Sequence, residues 1–116
     1  CIALENETVS LLRAGAVPAE IYEKILSLVD PAFREGFMNG CKFLGHSIGL
    51  TMDETPVLAK GFSAPLESGM TLAVEPKIAI PGVGLIGCEN TYEITADGPA
   101  QSLTGACDTL FEVLNQ

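Results

Sequence analysis

Met70-Thr71-Leu72-Ala73-Val74-Glu75-Pro76-Lys77-Ile78-Ala79-Ile80 is an apolar run interrupted at its centre by a carboxylate and a proline. Its aliphatic and β-branched residues read as strand. Pro76 has no amide hydrogen to give a neighbouring strand, so it marks an edge or a bulge, and a bulge there aims the Glu75 carboxylate out of the run. By alternation Glu75 lies with Thr71 and Ala73, opposite Leu72 and Val74. A second run, Leu85 to Thr95, alternates as one strand: Ile86, Cys88, Tyr92 and Ile94 face one way, and Gly87, Glu89, Thr91 and Glu93 the other. Glu89 therefore points away from the apolar layer.

Two helical patterns precede these strands. Ile2, Leu4, Val9, Leu11 and Leu12 recur among Glu5, Asn6, Glu7 and Ser10, ending near Gly15. Pro18 opens the second helix, with Ile21, Tyr22, Ile25, Leu26 and Val29 on one face and Glu20 in the first turn, where it suits the helix dipole; Pro31 ends it. Phe33 to Gly40 fits no period, and Cys41 to Leu50 reads equally as a strand or as a glycine-bent loop. Helices followed by strands predict an α+β fold, with the helices on one face of a mostly antiparallel sheet.

The 116 residues, 47% hydrophobic, fit one small domain with a core. The balance of 15 acidic to 6 basic residues, net −9, argues against nucleic acid and anionic membrane as partners, since both require a basic footprint. No apolar run reaches the ~20 residues needed to span a bilayer, and no signal peptide is visible. Cys1, Cys41, Cys88 and Cys107 are widely spaced without a Cys-x-x-Cys pair, which favours reduced thiols and a cytoplasmic location. The chain opens at Cys1 inside a helical pattern, so it reads as part of a longer polypeptide.

His46, the single histidine, lies in Gly45-His46-Ser47-Ile48-Gly49-Leu50, ahead of Glu75 and Glu89. One imidazole and two carboxylates from three separate segments suit a hard or borderline divalent metal. Each residue also has a plainer reading. A histidine beside glycines is most often a packed loop residue, and Glu89 could face solvent as Glu93 does. Glu75 is harder to dismiss, because a carboxylate in an apolar strand needs a partner or a shifted pKa. Convergence of the three requires ligating atoms on the order of 3 to 6 Å apart.

Gly45 to Leu50, Leu66 to Pro76 and Pro81 to Glu89 together resemble the late motifs of the creatinase, prolidase and methionine aminopeptidase superfamily, the pita-bread metallopeptidases. The short interval between the two glutamates resembles the prolidase and aminopeptidase P branch. This resemblance implies a partial pita-bread fold over residues 1–116, the C-terminal part of one catalytic domain built on a curved, mostly antiparallel sheet. It implies a two-ion centre of manganese, cobalt or zinc. In it His46 is a terminal ligand, Glu75 a ligand that also moves the proton of the attacking water, and Glu89 a bridging ligand. Two further aspartates come from a segment upstream of this chain. The implied reaction is hydrolysis of an N-terminal peptide bond, with Xaa-Pro dipeptides or short peptides as substrates. The chain by itself is then expected to hold metal weakly, to lack activity and to self-associate through an uncovered face, as a homo-oligomer.

Four positions depart from the family pattern. Asp53 stands where a second histidine is usual and is expected to line the substrate side of the site. Lys77 replaces a common glycine, Gly87 a common arginine, and Asn90 a common aspartate. Two other functions remain compatible with the sequence: a creatinase-like reaction on another small molecule, and a non-catalytic binding module that retains the site by descent.

Overall fold

The computed structural model describes residues 1–105; Cys107 lies outside the described residues. Helix α1 spans Ile2–Leu11 and helix α2 spans Pro18–Leu28, with Pro18 in the first turn where its missing amide hydrogen costs nothing. Ile21, Tyr22, Ile25 and the following Val29 are buried. Leu26 is 39% exposed, because one residue past Ile25 the helix has turned about 100° away from the core-facing stripe. The aperiodic stretch after Pro31 forms two single 3₁₀ turns, Pro31–Phe33 and Met38–Gly40. Met38 and Asn39 adopt left-handed backbone conformations there, which no regular period encodes.

Seven short strands follow among the described residues: β1 Gly45–Ser47, β2 Glu54–Val57, β3 Thr71–Val74, β4 Lys77–Ile80, β5 Gly84–Gly87, β6 Asn90–Glu93 and β7 Gln101–Ser102. They form a five-stranded sheet in the order β2-β1-β3-β6-β7 and a separate β4-β5 hairpin, and every pairing is antiparallel. The fold is α+β, as expected.

Each of the two long apolar runs is divided between the two sheets. Met70 to Ile80 becomes β3 and β4, separated at Glu75-Pro76. Leu85 to Thr95 becomes β5 and β6, separated at Cys88-Glu89. The second run was expected to be one continuous strand, and that expectation is corrected. Ile86 belongs to the hairpin and is 48% exposed, whereas Tyr92 and Ile94 are buried in the larger sheet. The two breaks are tied together by a hydrogen bond from the Cys88 amide to the Pro76 carbonyl, 3.2 Å. Both runs leave one sheet for the other at the same level.

The helices cover one face of the large sheet. Leu72, Val74, Tyr92 and Ile94 form one core with Leu12, Ile21, Ile25 and Leu58. α1 brings a carboxylate into this interface. Glu5 is fully buried, and its Oε1 accepts hydrogen bonds from the Tyr92 hydroxyl (2.6 Å) and the Asn90 side-chain amide (2.8 Å). Its Oε2 has no partner among the described residues.

This contact joins α1 to the strand that leads out of Glu89. Replacing Tyr92 by Phe keeps the ring and removes the donor, leaving a buried acceptor less satisfied. The expected loss is about 1–3 kcal/mol in chemical denaturation; an unchanged midpoint would contradict a structural role for the pair.

Candidate metal centre

Strand register assembles the site. His46 in β1 is the direct partner of Ala73 in β3, and Ala73 is the partner of Thr91 in β6. Directly opposed residues share a face, so these three form a row on the side of the sheet away from the helices. One pleat further along β3 and one pleat back along β6 lie Glu75 and Glu89, on that same side. Gly45 is required for the approach: a Cβ there would collide with the Ala73 carbonyl of the adjacent strand. The Glu75 amide donates to the Leu44 carbonyl, 3.0 Å, which holds the residue beside β1 after β3 itself has ended.

The structure thus brings His46, Glu75 and Glu89 together. One donor atom from each lies within 4.8 Å of the others. His46 is buried, Glu75 half-buried and Glu89 exposed. Asp53 also reaches this site, by a different route. The loop after β1 turns at Thr51, whose amide and hydroxyl both donate to Glu54 Oε1. It returns Asp53 Oδ1 to 3.1 Å from His46 Nε2, with the aspartate side chain 70% exposed. The other imidazole nitrogen, Nδ1, lies 3.0 Å from the Ser47 carbonyl.

Lys77 is a neighbour that the sequence marked only as a departure. Its Nζ lies 3.5 Å from Glu75 Oε1 and 5.6 Å from the centre of the Phe43 ring. No alternation rule signals this pair, because the chain passes from β3 in one sheet to β4 in the other between the two residues.

Electrostatics agree with a site for a cation. The Glu89 carboxyl titrates above its ordinary value. Loss of water around the group is the largest cause, although the residue as a whole is exposed, followed by repulsion from Glu75. His46 and Lys77 act in the opposite direction, and a side-chain hydrogen bond with Glu75 adds to the rise. A divalent cation held by the two carboxylates would relieve that repulsion. One imidazole nitrogen with two carboxylates is a donor set that such an ion accepts, so the residues present fit a metal.

Because the folded value of Glu89 lies above the unfolded one, its favourable contribution to the metal-free fold is present at pH below the ordinary glutamate range. It is lost as pH rises through the elevated value. The Glu89 side-chain carboxyl resonance of the metal-free protein should therefore titrate above the ordinary 4.5. Glu75→Gln should move that midpoint down by removing the facing charge. A midpoint at or below the ordinary value in the parent protein would contradict the pairing.

Comparison with known proteins places this geometry. Residues 1–96 match the profile of metallopeptidase family M24. The Xaa-Pro dipeptidase of Lactobacillus delbrueckii subsp. lactis is 37% identical over 71 residues, 61% of this chain and 18% of that protein. The Xaa-Pro dipeptidase of Pyrococcus furiosus is 39% identical over 61 residues, 53% of this chain and 17% of that protein. Among solved structures, the Xaa-Pro dipeptidase from Bacillus anthracis superposes with a TM-score of 0.78 at 30% identity, covering 92% of this chain and 29% of that one. The X-Pro aminopeptidase from Thermotoga maritima superposes with a TM-score of 0.83 at 22% identity, covering 96% and 31%, which speaks to fold alone. The chain spans less than a fifth of the length of the two curated relatives and less than a third of either structure. It belongs to metallopeptidase family M24, in the prolidase and aminopeptidase P branch, and carries part of the pita-bread fold.

Proposed function

We propose that this chain is the C-terminal part of the catalytic domain of an Xaa-Pro dipeptidase-like metallopeptidase, with His46, Glu75 and Glu89 as three of its metal ligands. The reading rests on one observation above the others. Three donors from three separate segments, in the order and spacing of the family motifs, lie within 4.8 Å of one another.

When bound, a pair of divalent ions would supply Lewis-acid polarisation of the scissile carbonyl and activation of water near neutral pH. The chain's own residues do the rest. His46 offers a nitrogen from a buried ring held by the Ser47 carbonyl. Glu75, fixed between β1 and the strand break, takes the proton of the attacking water on a carboxylate oxygen and returns it to the leaving amine. Glu89 completes the set from beside Glu75, and two aspartates from a preceding segment would balance the charge. Asp53, exposed and beside the ring, lines the substrate side of the site and accepts hydrogen bonds without donating any. A short peptide with a free amino terminus matches an acidic rim of this kind. The protein would act in the cytoplasm.

The test uses the full-length gene product with an Xaa-Pro dipeptide and manganese or cobalt. His46→Ala and Glu89→Gln should each abolish detectable metal uptake in calorimetry and reduce turnover by at least ~100-fold. Asp53→Asn should leave metal affinity within about tenfold of the parent while raising KM. Loss of metal binding in Asp53→Asn equal to that in His46→Ala would overturn its placement on the substrate side. Undiminished turnover in His46→Ala would overturn the metallopeptidase reading.

A further inference from the structure

We propose that Lys77 is an internal counter-cation of the candidate metal centre, a positioning residue that pairs with Glu75 across Pro76 and weakens the hold of the His46, Glu75 and Glu89 set on divalent metal. The proposal rests on reading those three residues as ligands.

Lys77 opens β4 immediately after the chain has left β3, and the change of sheet at Glu75-Pro76 turns its side chain back towards Glu75. Two features hold it there. The Phe43 ring lies 5.6 Å from Nζ and offers its negative face to the ammonium. Across the hairpin, Lys77 is paired with Gly87, and this partner must remain without a side chain. A Cβ at Gly87 would come within 2.7 Å of the Lys77 Cβ and 2.9 Å of the Pro76 carbonyl. The Lys77 side chain is 27% exposed and that of Glu75 14%, so the pair is screened by water less than an ordinary surface ion pair.

The position of this charge decides its effect. Glu75 and Glu89 place two carboxylates side by side, and the Lys77 ammonium lies 3.5 Å from Glu75 Oε1. Lys77 therefore supplies part of the neutralisation that a divalent cation would supply. Glu75 would share its carboxylate between the ammonium and a bound ion, and the two like charges would lie close together. The metal-free site is stabilised by Lys77, and the metal-loaded site is weakened by it.

The experiment is calorimetric titration of the full-length protein with manganese, alongside thermal melts with and without the ion. In K77M, which keeps the length of the side chain and removes the charge, affinity should rise by about tenfold. The metal-free melting temperature should fall, and the stabilisation on adding manganese should grow. K77R, which keeps the charge, should bind manganese as the parent does. Equal or weaker binding by K77M, with uptake still dependent on His46, would overturn this proposal and leave the metal centre intact. Uptake that does not depend on His46 would overturn both. Should K77M not fold, zinc titration of the parent protein followed by the nitrogen resonance of Lys77 decides the matter. A shift that saturates with the ion is expected, and an unmoved resonance contradicts the pairing.

Discussion

The antiparallel register through Ala73 is the constraint on which the site depends. Ala73 lies opposite His46 on one side and Thr91 on the other. A slip of one residue in either pairing would move the imidazole or one carboxylate to the helix-covered face. Several features oppose such a slip. Gly45 can approach β3 only because it has no side chain. The reverse face is filled by Leu72, Val74 and Tyr92, which pack with the helices. Glu5 holds Asn90 and Tyr92 from α1, on the side of β6 opposite to Glu89 and Thr91. The buried face fixes the register, and the register places the donors.

The paired breaks at Glu75-Pro76 and Cys88-Glu89 are the second constraint. Both carboxylates sit where the chain passes from one sheet to another, outside any hydrogen-bonded strand. There they can face a ligand without disturbing a ladder, and the Cys88 to Pro76 hydrogen bond keeps the two crossings level. The hairpin beyond them carries Leu85 and Ile86, both about half exposed, and an apolar groove of about 960 Å³ runs from Ile2, Leu28, Phe33 and Ile78 to Glu89. An uncovered apolar surface of that size adjoining the donors is consistent with relatives several times the length of this chain.

Much of this was legible in the residues. The second helix follows from its apolar spacing and its prolines, whereas α1 forms where expected but buries Glu5 and Thr8 rather than Ile2, Leu4 and Val9; the side of the sheet on which Glu75 and Glu89 lie follows from counting along each run. The division of each run between two sheets was not legible across Leu85 to Thr95. Alternation continues through Cys88-Glu89 with no proline to mark the break, and the register of a separate sheet depends on contacts distant in sequence. The same limit hid the ion pairs. Asp53 reaches His46 through a loop whose turn is set by Glu54, and Lys77 reaches Glu75 because the chain changes sheet between them. The buried role of Glu5 was equally hidden, since one glutamate among Glu5, Asn6 and Glu7 reads as the polar side of a helix.

Anomalous diffraction from crystals of the full-length protein grown with manganese tests most directly whether the three donors form a metal site. A peak within about 2.0–2.5 Å of a nitrogen of His46 and of carboxylate oxygens of Glu75 and Glu89 is the expected result. A fully loaded crystal with its manganese elsewhere, and with the Glu75–Lys77 and His46–Asp53 pairs intact, would contradict it.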